Sequence, residues 1–166
     1  QNTAESGVLA IEYAQKRWAN LPIIIFGQSL GGAVSLKSMT DLKNRDRICA
    51  HVVESTFDSY KKVGQAAMAG SWLTWIFQPL AHVVLSDTYA PKGHISKISP
   101  IPLMVVHRKG DPVVPSYLGE RVFKEAQAPK KLVLLEGEGH IDAFVGVDRV
   151  PNRKLLLDFL APCIKM

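Results

Sequence analysis

The chain has 166 residues, 47% of them apolar and 21% charged, with a net charge of +5. That length suits one compact domain with its own core, and that balance excludes a disordered chain. The basic residues fall in short scattered groups (Lys16-Arg17, Lys43 to Arg47, Lys61-Lys62, Lys130-Lys131), which excludes a nucleic-acid arm, and no apolar run reaches the roughly 18 residues of a membrane span.

Residues Ser6 to Trp18 place Val8, Leu9, Ile11, Ala14 and Trp18 near one helical face, with Ser6 in position to cap the helix and Asn20-Leu21-Pro22 to end it. Ile23 to Phe26 follow as a short apolar run without alternation, the pattern of a strand covered on both faces in a parallel sheet. Leu30, Val34, Leu36, Met39 and Leu42 then space as a helix through about Asp41. After a polar break at Asn44 to Arg47, Ile48 to Val53 reads as the second strand, ending at Glu54-Ser55-Thr56-Phe57.

From Phe57 to His94 the alternation of strand and helix is interrupted. Between Val63 and Ser86 there is no Asp, Glu, Lys or Arg, while Trp72, Leu73, Trp75, Ile76 and Phe77 crowd together. Gly70 and Pro79 rule out a bilayer span. Two short amphipathic helices fit, and they read as a lid over residues 57–94 rather than as plain core, because they follow the strand after the first strand-to-helix turn. Contact of the same aromatics with a membrane surface is a weaker reading.

The third strand is Leu103 to His107, followed by a loop that carries Asp111. Leu118, Val122 and Phe123 stripe a helix from Tyr117 to Ala126, and Pro129 stops it. Leu132 to Leu135 is the fourth strand, and Glu136 to His140 the loop after it. Arg153 to Ile164 closes the chain as a helix with Leu155, Leu156, Phe159 and Leu160 inward. Alternating strands and helices predict a three-layer α/β fold, a parallel sheet of about four strands with helices on both faces. Ligands of such sheets bind beyond the carboxyl ends of the strands, where Ser29, Asp111 and His140 all fall.

The sharpest local signal is Gly27-Gln28-Ser29-Leu30-Gly31, a G-x-S-x-G run between the first strand and the first long crossover helix. In that context it is a nucleophile elbow, a turn that forces the serine out of the sheet. Side chains at Gly27 and Gly31 are expected to collide with neighbouring backbone. The Leu30 amide opens the helix, where unpaired N–H groups favour negative charge, and so forms half of an oxyanion hole. The plainer reading is a serine helix cap. A serine nucleophile needs a base, and a histidine oriented by a carboxylate supplies it. Ser29, Asp111 and His140 stand in the chain order that α/β-hydrolases use.

Over nearly its whole length the chain resembles the C-terminal part of an α/β-hydrolase. Gly27-Gln28-Ser29-Leu30-Gly31-Gly32 matches the elbow, Gly110-Asp111-Pro112-Val113-Val114-Pro115 the acid loop, and Gly139-His140 the histidine loop. Val53-Glu54-Ser55-Thr56-Phe57 is similar to the strand end that leads into a lid in the lysophospholipase-like and serine-peptidase-like branches. The resemblance implies Ser29 as nucleophile, His140 as base and Asp111 as orienting acid, acting on an ester, thioester or amide through an acyl-enzyme. No Cys/His cluster has metal spacing, and no cofactor is expected. Glu54 is the rival acid, because some relatives carry the acid after that strand. His107 reads as a loop support, His51 as a satisfied core residue and His94 as a surface residue, while Asp142 is too near His140 to orient its ring.

The aromatic lid turns the expectation toward an apolar acyl group, with Trp72, Trp75, Phe77 and His82 as substrate contacts, and toward carboxylester or lipase-like activity. The alternative is a non-catalytic relative that binds a ligand or partner. Only half of the family fold is present, so the strand at 23–26 is expected to be a bare edge that pairs with another chain or with an absent N-terminal half. A chain without the second oxyanion donor is expected to be a poor catalyst, since such a donor contributes about 10²–10³ in rate. Gln1 in place of an initial Met reads as a piece of a longer protein. Cys49 and Cys163 are expected to be free thiols, and the expected location is cytoplasmic or membrane-peripheral.

Overall fold

The computed structural model describes residues 3–69 and 83–164. In chain order its elements are α1 (Thr3–Arg17), β1 (Ile23–Gln28), α2 (Leu30–Asp41), β2 (Ile48–Glu54), α3 (Tyr60–Ala69), β3 (Leu103–Gly110), α4 (Ser116–Glu125), β4 (Lys130–Glu138) and α5 (Arg149–Ile164). A 3-10 turn at Ile95–Ile98 precedes β3. The strands form one parallel sheet in the order β1-β2-β3-β4.

The near-continuous apolar strands divide their side chains between two cores, as a parallel sheet covered by helices requires. Val53, Leu103 and Val105 point to a core shared with Ile11 of α1, Leu36 and Met39 of α2 and Val122 of α4. Ala50, Val52, Met104 and Val106 point the other way, to Leu160 and Cys163 of α5, with Leu155, Leu156 and Phe159 packed beside them. This is the expected three-layer α/β arrangement. The register sets the functional rim. Gln28 pairs with Glu54, and Glu54 with Val106, so the carboxyl ends of β1, β2 and β3 lie side by side.

Four expectations change. The α1 helix begins at Thr3, which puts Ser6 inside it rather than at its cap. Its buried face carries Ile11 and Gln15, whereas Leu9 and Trp18 are exposed. Gln15 is drawn inward because its amide donates to Asn44 O (3.2 Å) and Asp46 O (3.0 Å), closing the polar turn before β2. β1 is covered on one face only. Ile24 and Phe26 remain 39% and 44% exposed, with Phe26 resting edge-on against Phe144. Cys49 and Cys163 are not free but form a disulfide, with Cα atoms 5.6 Å apart. The packing of α5 against β2 brings together two residues 114 positions apart, which no local pattern reveals.

Of the segment read as a lid, α3 is described and has no buried residue, while Phe57 beneath its start packs with Ala33, Val114 and Leu118. Trp72, Trp75, Phe77 and His82 lie outside the described residues. No helix among the described residues is long and apolar enough to cross a membrane.

Candidate active site

Ser29 occupies the single residue between β1 and α2. Its backbone sits at φ 50° and ψ −123°, a sparsely populated conformation that ordinary turns avoid. It stands at the helix N-cap position, yet its hydroxyl makes no capping hydrogen bond. That sets aside the reading of Ser29 as an ordinary helix cap. Its main chain does the anchoring. Ser29 N–H donates to Glu54 O (2.9 Å), and Ser29 O accepts from Thr56 Oγ1 (2.8 Å) and from the Gly32 amide (3.0 Å). The Leu30 amide opens α2, where a first-turn N–H has no intrahelical acceptor.

The tight glycines of the elbow are Gly27 and Gly32, not Gly27 and Gly31. A Cβ at Gly27 would lie 2.8 Å from both Gly31 O and Gly32 Cα, and one at Gly32 2.6 Å from Thr56 Cβ. A Cβ at Gly31 would meet nothing within 4 Å, because that position faces open space. Gly27→Ala and Gly32→Ala are therefore expected to cost about 1–3 kcal/mol in urea unfolding. Gly31→Ala should leave stability unchanged or raise it by up to ~1 kcal/mol. Equal losses at all three positions would contradict this packing.

Asp111 lies just past β3 with its side chain fully buried. Oδ1 accepts from the Val113 and Val114 amides, both at 2.9 Å, and His140 Nδ1 donates to both oxygens, at 2.9 Å to Oδ2 and 3.1 Å to Oδ1. Burial alone would raise its carboxyl. Hydrogen bonding from His107 and His140 and from the Val114 and Val113 amides outweighs burial, and the group ionises well below the ordinary carboxylate range. His107 supports the same loop. It is fully buried, its Nε2–H donates to Val114 O at 2.8 Å, and the same nitrogen lies 3.4 Å from Asp111 Oδ2.

His140 sits between two residues with left-handed backbone, Gly139 at φ 143° and Ile141 at φ 53°. Its ring is 17% exposed, and the Nδ1–H bond to Asp111 leaves Nε2 as the free acceptor. No hydrogen bond joins Ser29 Oγ to His140 Nε2 in this structure. What joins them is the end of β2. Glu54 and Thr56 hold the Ser29 main chain, while Glu54 Oε1 accepts from the Ala143 amide (2.8 Å) and Ser55 Oγ from the Ile141 amide (3.5 Å).

Sequence reasoning passed over Arg108. It is buried and straps the histidine loop on both sides, donating to Glu136 O (2.8 Å), Asp142 Oδ1 (2.7 Å) and Asp148 Oδ2 (3.2 Å). Asp142 thus serves the loop through Arg108, and Glu54 carries no bond to His140. A buried cation directly before the acid loop was the available signal. His51 is buried with Nε2 2.9 Å from Ser35 Oγ, and burial pushes its pKa down to about 3, so it stays neutral. Its Nδ1 has no partner, so it is only half satisfied. His94 is exposed.

No protein-family model matches the chain. It is 32% identical over 138 residues to the uncharacterized protein YfhR of Escherichia coli K12, covering 83% of this chain and 45% of that protein. The chain spans about half the length of the curated relatives it matches first. Among solved structures it superposes on the α/β hydrolase GrgF from Penicillium sp. sh18 with a TM-score of 0.65 at 20% identity, covering 98% of this chain and 73% of that one. It superposes on the monoacylglycerol lipase of Paleococcus ferrophilus with a TM-score of 0.60 at 15% identity, over 96% and 76% of the two chains. Sheet order, elbow and neighbours agree: the chain has the fold of these α/β hydrolases.

Proposed function

We propose that the chain carries the catalytic residues of a serine hydrolase that cleaves an ester, thioester or amide through an acyl-enzyme. Ser29 is the nucleophile, His140 the general base, Asp111 the orienting acid and the Leu30 amide an oxyanion donor. The observation that carries this reading is an uncapped, strained serine and a histidine–carboxylate pair fastened to the same strand end, residues 54–56.

The chemistry follows from the groups. His140 Nε2 takes the Ser29 hydroxyl proton as Oγ bonds to the substrate carbonyl carbon. The carbonyl oxygen becomes an oxyanion at the Leu30 amide, where the N-terminus of α2 favours negative charge. Collapse breaks the bond to the leaving group, which receives the proton from His140. Water repeats the sequence and frees the acid. Asp111, held ionised, keeps the His140 proton on Nδ1 and stabilises the imidazolium. The Ser29–His140 hydrogen bond forms on substrate binding, as such bonds often tighten only in the complex.

An apolar acyl group is the favoured substrate class, a reading that draws on the aromatic composition of Trp72, Trp75 and Phe77 in the sequence. The open face of β1, with Ile24 and Phe26 exposed, supports completion of the sheet by further residues or another chain. The disulfide supports an oxidising compartment over the reducing cytoplasm. A second reading, a ligand- or partner-binding relative without turnover, draws on the absence of a Ser29–His140 hydrogen bond between these two described residues. The test is stopped-flow hydrolysis of p-nitrophenyl esters of increasing acyl length by the full-length protein. A burst of nitrophenol that grows with acyl length and vanishes in His140→Ala is expected. No turnover of any ester, thioester or amide would favour the binding protein.

A further inference from the structure

We infer that Glu54 is a positioning residue that locks the histidine loop onto the nucleophile strand. The inference rests on the roles proposed above for Ser29 and His140. The Glu54 carboxylate is 1% exposed, and a buried carboxylate persists only where its oxygens are bonded. Oε1 accepts from the Ala143 amide at 2.8 Å, three residues beyond His140. Oε2 accepts from Gln28 Nε2 at 2.8 Å, the residue before Ser29. The Glu54 carbonyl also receives the Ser29 amide at 2.9 Å. One residue therefore touches the chain on the near side of the nucleophile, the nucleophile itself and the loop that carries the base.

The loop needs such a hold. Ile141 is β-branched at φ 53°, a conformation that branched side chains resist, and Gly139 sits at φ 143°. Strained backbone of this kind persists only when its surroundings fix it. Across from it, Ser55 is itself at φ 52° and presents its hydroxyl to the Ile141 amide. A carboxylate accepting from an amide gives a stronger bond than a neutral acceptor would. Glu54 is not a second orienting acid. Its oxygens go to Ala143 and Gln28, whereas His140 Nδ1 bonds to Asp111.

The experiment compares Glu54→Ala, Glu54→Gln and Gln28→Ala with wild type in the full-length protein. Two readouts are taken, amide hydrogen exchange over residues 139–146 and the rate at which a fluorophosphonate probe labels Ser29. Glu54→Ala should speed exchange at 141–146 by about tenfold as the loop loosens. Labelling should slow by roughly tenfold to a hundredfold, the cost of a small misplacement, with an unchanged pH profile. Glu54→Gln should recover both within a few-fold, because a flipped Gln28 amide can still pair with it. If Glu54→Ala does not fold, Gln28→Ala carries the test through the lost Oε2 bond and should loosen the same loop. Unchanged exchange at 139–146 in a folded variant overturns the inference. So does Glu54→Gln losing labelling as fully as Asp111→Asn, which would make Glu54 the triad acid. Failure of wild type to label would sink the hydrolase reading instead, and the exchange data would still decide what Glu54 holds.

Discussion

Replacing Asp111 with asparagine should lower turnover by about 10⁴ while the protein stays folded. The amide is nearly the same shape, and its oxygen can still accept from the Val113 and Val114 amides that now bond to Oδ1. The other end changes sign. Where Oδ2 now accepts from His140 Nδ1 at 2.9 Å, an NH₂ would donate instead. His140 would then carry its proton on Nε2, the atom that must receive the serine proton. The same residue sets a pH signature. Its carboxyl ionises below the ordinary value despite burial, because the His107, His140 and amide bonds favour the charged form. A depressed carboxyl stabilises the fold fully above its unfolded value of about 3.9 and loses that contribution as the pH falls below it. The melting temperature of wild type should therefore drop below about pH 4, and Asp111→Asn should flatten that part of the drop. A variant with full turnover, particularly beside an inactive Glu54→Gln, would move the acid role to Glu54.

Loss of the Cys49–Cys163 bond should be the largest stability change among single covalent alterations. The bond closes a loop of 114 residues between β2 and the last turn of α5. Freeing a loop of that length costs about 5 kcal/mol in the chain-entropy account. At this chain size that is roughly a 10–20 °C fall in melting temperature. Calorimetry of the oxidised protein, the reduced protein and Cys49→Ser/Cys163→Ser should give two coincident lowered transitions. Reduction without any shift would show that α5 holds its place on β2 by packing alone.

The strands were legible because each is a short apolar run bounded by turn residues. The observed strands contain the expected ones and extend past them, β4 by two residues before Leu132 and three after Leu135. The α2 helix matches from Leu30 to Asp41. Ser29, Asp111 and His140 were legible as rim residues because a parallel sheet sends all its strand ends to one side. What stayed hidden depends on contacts between distant residues. Periodicity put Leu9 and Trp18 inward, but the turn before β2 recruits Gln15 and rotates the buried face. Local spacing made Gly31 a tight position, whereas closeness to Thr56, set by the β1–β2 register, falls on Gly32. Arg108 drew no notice because only the folded chain closes Glu136, Asp142 and Asp148 around it.

The claim beneath the rest is that the Ser29 hydroxyl is activated by His140. It is tested most directly by treating the full-length protein with a fluorophosphonate and mapping the adduct by peptide mass spectrometry. A single adduct on Ser29, absent in Ser29→Ala and strongly slowed in His140→Ala, is the expected result. An unlabelled Ser29 in the folded full-length protein, or labelling indifferent to His140, would contradict it.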